Sequence, residues 1–473
     1  MTGVLSGFSW IRIAGLTGLV ALAFILAGCH GLPTQDEKAE RRQMQTVGDQ
    51  FRPHDRKPTL PVLIPDSSLT NYVSYAMLNQ PGVETAYYDW VASVERVTQA
   101  RSFPDPQFAF QMDIQSVVTS VMPGLMGNIP WPDKLRVAAA VASAESDAKF
   151  FTFQSAVLQT AFEVKRTYYQ LYFLAEKIRV NRETLQLLSD LEKLARAQNE
   201  VGKVTLQDVL RAQIEQDRLR TEIANLEDSR SSLIAQFKAA LGMAPEDPEP
   251  PVPSHFESTP LDLTADKLFE TALAQNQRLK GMAAEVRAAE ASIILAKKGR
   301  LPDFSLGFMA DVKADPTLYR FPGNPGTVSL PIWRDKIAAQ IAEAQANKRS
   351  AEARLSAQQI ALAVAVAEKS FAYREASRSL ELLQTQLLPK QRQSLEVARF
   401  GYVAGQIDFF NLTDAEQTLL RFNLELVEAR AQREISLAEL TFLIQGMTPS
   451  GGGAPGMSGT TSPAPSKRTS QSM

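Results

Sequence analysis

The chain has 473 residues, with 50 Lys and Arg against 52 Asp and Glu, and a formal charge of −2. That balance excludes both the broad basic surface a nucleic-acid-binding protein needs and an acidic interaction tail. A single cysteine excludes an intramolecular disulfide, so stability must come from packing.

The first residues read as an export signal. Arg12 is the clear charge, residues 15–27 form a short apolar run, and small residues precede Cys29. The run is too short to span a bilayer comfortably. Leu26-Ala27-Gly28-Cys29 looks like a bacterial lipobox, which implies a signal peptide over 1–28, cleavage before Cys29 and lipid on its sulfur. An ordinary cleaved signal with a stray thiol is the alternative. In lipobox proteins an Asp after the cysteine retains the product at the inner membrane; His30 stands here, so the outer membrane is the expected address. Residues 29–65 are polar, Pro-bearing and aperiodic, and read as a lipidated N-terminal linker.

Residues 66–243 form a first structural repeat. A helical stretch from about Leu69 to Ala100 is interrupted at Asn79-Gln80-Pro81-Gly82. The period then changes to two: from Gln107 to Gln115 the even positions Phe108, Phe110, Met112 and Ile114 are apolar and the odd ones polar or small, which predicts a strand. A weaker alternation follows at Leu125, Gly127, Ile129 and Trp131. Between Asp133 and Asn199 there is no Pro and no Gly. Leu171, Leu174, Ile178, Leu185 and Leu188 repeat at heptad-like spacing with Asn181 as one polar interruption, and Leu187, Leu191 and Leu194 make a neighbouring row. One helix of roughly 100 Å is expected, at about 1.5 Å per residue. A Gly turn at Val201–Val204 leads into a second helix from Thr205 to Leu241, opened by a Thr205/Asp208 capping box. The charges between the seams read as a solvated face.

Residues 244–263 are a Pro-rich linker that neither a helix nor a central strand tolerates. The sequence then begins again over 264–446. Asn276-Gln277 echoes Asn79-Gln80, the run Pro331-Ile332-Trp333-Arg334-Asp335-Lys336 echoes Pro130-Trp131-Pro132-Asp133-Lys134, and Gly405-Gln406-Ile407 echoes Gly202-Lys203-Val204. The offset stays at about 197 to 203 residues, so an internal duplication is the economical account. Alternating segments recur at Phe304–Val312 and Val328–Ile332. A long helix is predicted from Asp335 to about Phe400, seamed by Tyr373, Ala376, Leu380, Leu383 and Leu387 and kinked at Pro389. Asp408 and Asn411 repeat the cap more weakly. Residues 447–473, rich in Gly, Ser, Thr and Pro, are expected to be a disordered tail.

Four strands per chain, each apolar on one side and polar on the other, suit a wall between lipid and water. Gln107, Gln111, Asp113, Ser305 and Asp311 are placed toward the lumen. A half-buried sheet in a soluble domain has the same alternation; the lipid-anchor signal and the lack of another large apolar body favour the barrel. An open sheet cannot sit in lipid, so other copies must close it. Three copies give twelve strands. Two give eight, whose interior is filled by side chains, so passage favours three. The fold class expected is therefore mainly α with a transmembrane β-barrel: a long antiparallel coiled-coil helical barrel continuing four strands per protomer, trimeric and internally duplicated.

The chain from Leu69 to Gly446 resembles the TolC-like outer membrane efflux proteins. Pro389, Tyr402, Gly405, Leu412, Asp414, Ala415 and Leu419 carry the resemblance, with the strand-to-helix junctions Ile129-Pro130-Trp131 and Leu330-Pro331-Ile332-Trp333. It implies a homotrimer in outer membrane lipid, extending into the periplasm, whose helical tips meet a periplasmic adaptor linked to an inner-membrane pump. A tripartite efflux or type I secretion channel is the function implied; a non-conducting periplasmic coiled-coil lipoprotein is the rival.

The same resemblance assigns a periplasmic gate to Tyr402, Asn411, Asp414 and Ile407. Acidic rings are usual in the family near the second tip; Asn411 neutralises one of them, and Ile407 replaces the usual arginine. Closure is therefore expected to lean on Ile407, Phe409 and Phe410, with Asp414 as a single cation-attracting ring. Val201, Gly202, Val204 and Thr205 at the first tip, with Val403 and Gly405 at the second, are the expected adaptor footprint. His30, His54 and His255 lack the clustering a metal site needs, and no mechanistic motif occurs, so no enzyme activity, metal or cofactor is expected.

Overall fold

The computed structural model describes residues 33–444 except 65–66, 115–117, 252–264, 310–311 and 314–322. The expected signal peptide, Cys29, Asp311, most of the Pro-rich linker and the C-terminal tail lie outside the described residues. The chain is mainly helical and divides into two compact units. One comprises Met1–Thr46, Val91–Asp147 and Glu285–Ser350; the other comprises Val47–Trp90, Ala148–Ala284 and Ala351–Met473.

Ten helices and five strands are described. Helix α1 is Gln35–Phe51, α2 Leu69–Asn79 and α3 Pro81–Arg101. Strands β1 (Gln107–Ile114) and β2 (Val118–Ile129) follow, then α4 (Pro132–Glu200) and α5 (Leu206–Leu241). The second half has α6 (Ala265–Gln275), α7 (Gln277–Lys298), β3 (Asp303–Met309), β4 (Val312–Lys313) and β5 (Gly323–Ser329). Helices α8 (Arg334–Leu382), α9 (Leu388–Val403) and α10 (Phe409–Leu443) complete it.

In the first unit, the stretch expected to be an aperiodic linker contains α1. The helix was hidden because its inward face begins with charge. Glu37 is wholly buried and accepts from Arg101 Nε at 2.6 Å and Thr98 Oγ1 at 2.7 Å. Burial alone would raise its carboxyl, but the hydrogen bonds from Arg101, Thr98 and Arg41 hold it below the usual glutamate value. Glu40, one turn on, has the opposite fate. It accepts from the Ser143 hydroxyl, its other oxygen has no partner, and burial pushes its carboxyl up to about 7, helped by nearby Asp147 and Asp36.

The sheet belongs to this unit and is antiparallel, in the order β1-β2-β3-β5, with β4 continuing the register of β3 along β2. Pairing sets apolar against apolar. Phe108 lies opposite Leu125 and Phe304 opposite both Ile129 and Val328. Directly opposed residues share a face, as do residues two apart on a strand, so Phe108, Phe110, Leu125, Leu306 and Val328 lie on one side. All five are exposed, Phe108 to 71%. The other side carries Gln107, Asn128, Ser305 and Thr327, with Ser305 opposite both Asn128 and Thr327. Gln111 and Asp113 stand on β1 at positions alternate to Phe110. The alternation at Leu330 and Ile332 suggested a longer last strand. It ends at Ser329 because Pro331 has no N–H for a ladder, and Ile332 N turns back to the Leu330 carbonyl at 2.9 Å.

In the second unit the predicted seams are buried rows: Leu171, Leu174, Ile178 and Leu188 on α4, Leu219 and Ile223 on α5, and Ala376 and Leu380 on α8. Asn181 sits in the α4 row almost fully buried, its amide donating to the Lys177 carbonyl at 2.9 Å. A core of Tyr72, Tyr168, Phe173, Phe237 and Leu241 joins α2, α4 and α5. Phe51, at the end of α1, enters an aromatic group with Tyr87 and Phe153 at ring distances of 5.0 and 5.7 Å. The disturbance predicted at Pro389 takes the form of a π-helical turn over Leu383–Leu387, directly before α9. A widened turn accommodates the bond that proline cannot donate and the space its ring takes.

Candidate functional site

Each hairpin tip is closed by the same backbone hydrogen bonds. Helix α4 stops because Gly202 turns left-handed at φ +67°, and α9 stops at Gly405 with φ +73°. Lys203 N donates to the Gln198 carbonyl at 2.9 Å, and Gln406 N to the Gly401 carbonyl at 2.8 Å, which satisfies helix-end carbonyls in Schellman fashion. A Cβ on either glycine would meet nothing within 4 Å. Glycine is thus required by backbone conformation and not by close approach. Restart is also paired. The Asp208 carboxylate accepts from Thr205 N at 3.2 Å, and that of Asp408 from Asn411 N at 2.9 Å.

The two tips pack against each other. Leu191 and Ala195 of α4, Val209 and Ala212 of α5, and Tyr402, Phe409 and Leu412 of the second hairpin form one buried cluster, with Val204 and Ile407 at its margin. Tyr402 meets Phe409 at 5.5 Å with the rings inclined by 60°. Its hydroxyl is buried without a hydrogen-bond partner, and burial, reinforced by the Asp208 charge, pushes its pKa up to about 12. Ile407 covers Gly401, whose added Cβ would touch it at 3.4 Å.

Tyr402, Ile407 and Val204 are thus brought together, whereas Asn411 and Asp414 are exposed on α10, one turn apart and outside this cluster. Within one chain Phe410 is exposed, and Arg211 stands over its ring at 5.3 Å. Phe409 and Ile407 pack in the tip cluster. Val201, exposed to 68%, and Val403 project at the two tips, while Thr205 is exposed at the start of α5.

One group escaped the sequence reading. Glu416 is a carboxylate that no sequence motif marks, yet it is buried on α10 between Leu412 and Leu420, which pack in neighbouring clusters. One carboxylate oxygen has no partner, and burial pushes the group up to about 7 against the pull of Arg399. The signal was available in heptad phase, since residues 409, 412 and 416 fall on one stripe. Among the described residues, no group of His, Cys, Asp and Glu could hold a metal ion.

Long paired helical hairpins and a small amphipathic antiparallel sheet are the fold this chain shares with solved outer membrane channels. The sequence profile of the family "Outer membrane efflux protein" matches residues 83–243 and 268–446, and the chain belongs to that family. It is a TolC-like efflux channel of the outer membrane. Solved structures share the fold at low identity. The outer membrane protein VceC of Vibrio cholerae is 16% identical with a TM-score of 0.67, over 80% of this chain and 96% of that one. The CmeC outer membrane channel of Campylobacter jejuni is 14% identical at 0.66, over 85% and 92%. The open state of the MtrE outer membrane channel of Neisseria gonorrhoeae is 15% identical at 0.67, over 83% and 97%. Comparison with curated protein sequences gives no significant match.

Proposed function

We propose that three copies of this chain close a twelve-stranded outer-membrane barrel and pass substrates from an inner-membrane pump and a periplasmic adaptor out of the cell. The observation that carries the reading is the sheet. Among the described residues β1 and β5 are edges without a further strand, and the exposed apolar face runs across β1, β2, β3 and β5. Unpaired edges are untenable in lipid, so neighbouring copies supply the missing partners. Among the described residues no helix is long and apolar enough to cross a membrane. Gln107, Gln111, Asp113, Ser305 and Asp311 line the lumen, and the long helices line the periplasmic part of the passage.

At the tips, Tyr402 and Ile407 hold the two hairpins together while Asp414 forms a threefold ring that attracts cations and Asn411 a neutral one. Val201, Gly202, Val204, Thr205, Val403 and Gly405 are the adaptor footprint. A lipid on Cys29 tethers each protomer. Internal duplication is supported by the shared bonds at Gly202 and Gly405. Conductance in planar bilayers tests the reading. Stepwise, cation-preferring openings are expected, with Asp414→Asn weakening the preference; an unchanged preference removes the role given to Asp414.

A further inference from the structure

We propose that the recess at the start of α8, formed by Ile332, Trp333, Arg334, Asp335 and Lys336, binds the phosphate headgroup of an anionic phospholipid. The inference rests on the reading that the sheet is membrane-inserted. The recess is open, with a volume of about 480 Å³, and is lined by residues of two kinds. Trp333 is 73% and Ile332 67% exposed, a large apolar surface that the chain itself leaves uncovered. An indole with an apolar body and a polar N–H is stable at headgroup depth. It lies four residues beyond Ser329, where β5 and its apolar face end.

The rest of the lining is mostly cationic. Arg334 and Lys336 are exposed, and among the described residues neither has an ion-pair partner, with Asp335 as the one opposing charge in the recess. Two acids near the strand-to-helix junctions are already engaged. Lys134 Nζ holds the Asp303 carboxylate at 2.9 Å, and Lys298 pairs with Asp133. Asp303 is paired with Ser329 in the sheet, so this neutralised acid borders the chain that runs into the recess. These two cations are free to meet an external anion. The first-turn N–H groups of α8 add donors to it, because no earlier turn accepts from them. Surplus positive charge bordering an exposed apolar band matches a lipid headgroup, which joins a phosphate to acyl chains; a soluble anion would leave Trp333 and Ile332 wet.

Full-length protein reconstituted in nanodiscs of phosphatidylcholine, with or without phosphatidylglycerol, tests this by native mass spectrometry of the lipids it retains. Preferential retention of phosphatidylglycerol is expected. Arg334→Gln with Lys336→Gln should cut that preference about twenty-five-fold, about fivefold per cation near an anionic surface. Asp335→Asn should increase it, and millimolar inorganic phosphate should leave the lipid in place. Equal retention of both lipids by inserted protein, or an unchanged preference in the double variant, overturns the headgroup site and leaves the channel reading intact. Displacement by phosphate makes the recess a plain anion site and overturns the lipid assignment. Failure to enter either bilayer overturns the membrane reading and this inference together.

Discussion

The side-chain amide of Asn79 donates to the Leu241 carbonyl at 2.9 Å and to that of Gly242 at 2.8 Å, tying the end of α2 to the end of α5. Asn276 does the same in the second half, donating to the Leu443 carbonyl at 3.0 Å at the end of α10. Each asparagine thus satisfies a carbonyl that a helix end leaves without an intrahelical partner. Asn79 is buried, and Asn79→Ala leaves those carbonyls unpaired, a cost of about 1–3 kcal/mol. A lowered thermal or denaturant midpoint is the expected result; an unchanged one would mean that water replaces the amide without loss.

Gly202→Ala and Gly405→Ala isolate backbone conformation, because a Cβ meets no atom at either tip while φ is positive at both. Each should cost about 1–2 kcal/mol through local strain. Hydrogen exchange at Lys203 and Gln406, whose N–H groups close the turns, should accelerate. Equal rates in variant and parent would refute the requirement for a left-handed residue.

Glu416 makes the second tip pH-sensitive. Its folded value of about 7 lies above the ordinary 4.5, so the buried group favours its protonated form. The stabilisation is complete below about 4.5 and is lost as pH rises through about 7. Exchange of α10 amides around Leu412 and Leu420, corrected for intrinsic rates, should be faster at pH 8 than at pH 6. Glu416→Gln should flatten that dependence. A dependence that survives the substitution would point to another group.

The two faces of β3 should answer oppositely to charge. Leu306 is exposed on the apolar side and Ser305 lies on the polar one. Leu306→Arg should destabilise the inserted form by about 2–4 kcal/mol if it stands near the bilayer midplane, whereas Ser305→Arg should insert normally. Refolding yield of heat-modifiable protein into lipid vesicles reads the difference. Equal yields would contradict the assignment of faces.

What the sequence disclosed depended on how local the physics was. The Thr205/Asp208 cap, the Gly turns and the leucine rows are set by neighbours a few residues apart, and the structure places them where periodicity predicts. Helix α1 escaped because its buried face starts with Glu37 and Glu40, whose partners Arg101 and Ser143 are distant in sequence. Glu416 escaped for a related reason: a carboxylate that no motif marks reads as solvated until a second hairpin is packed over it.

The account stands on the apolar face of the sheet being completed by other copies into a pore. Full-length protein extracted in detergent and fused to a planar bilayer, with its mass measured in the same preparation, tests this most directly. A trimer giving discrete conductance steps is predicted. A monomer that remains in the aqueous phase without its acyl chains, and gives no steps, would contradict it.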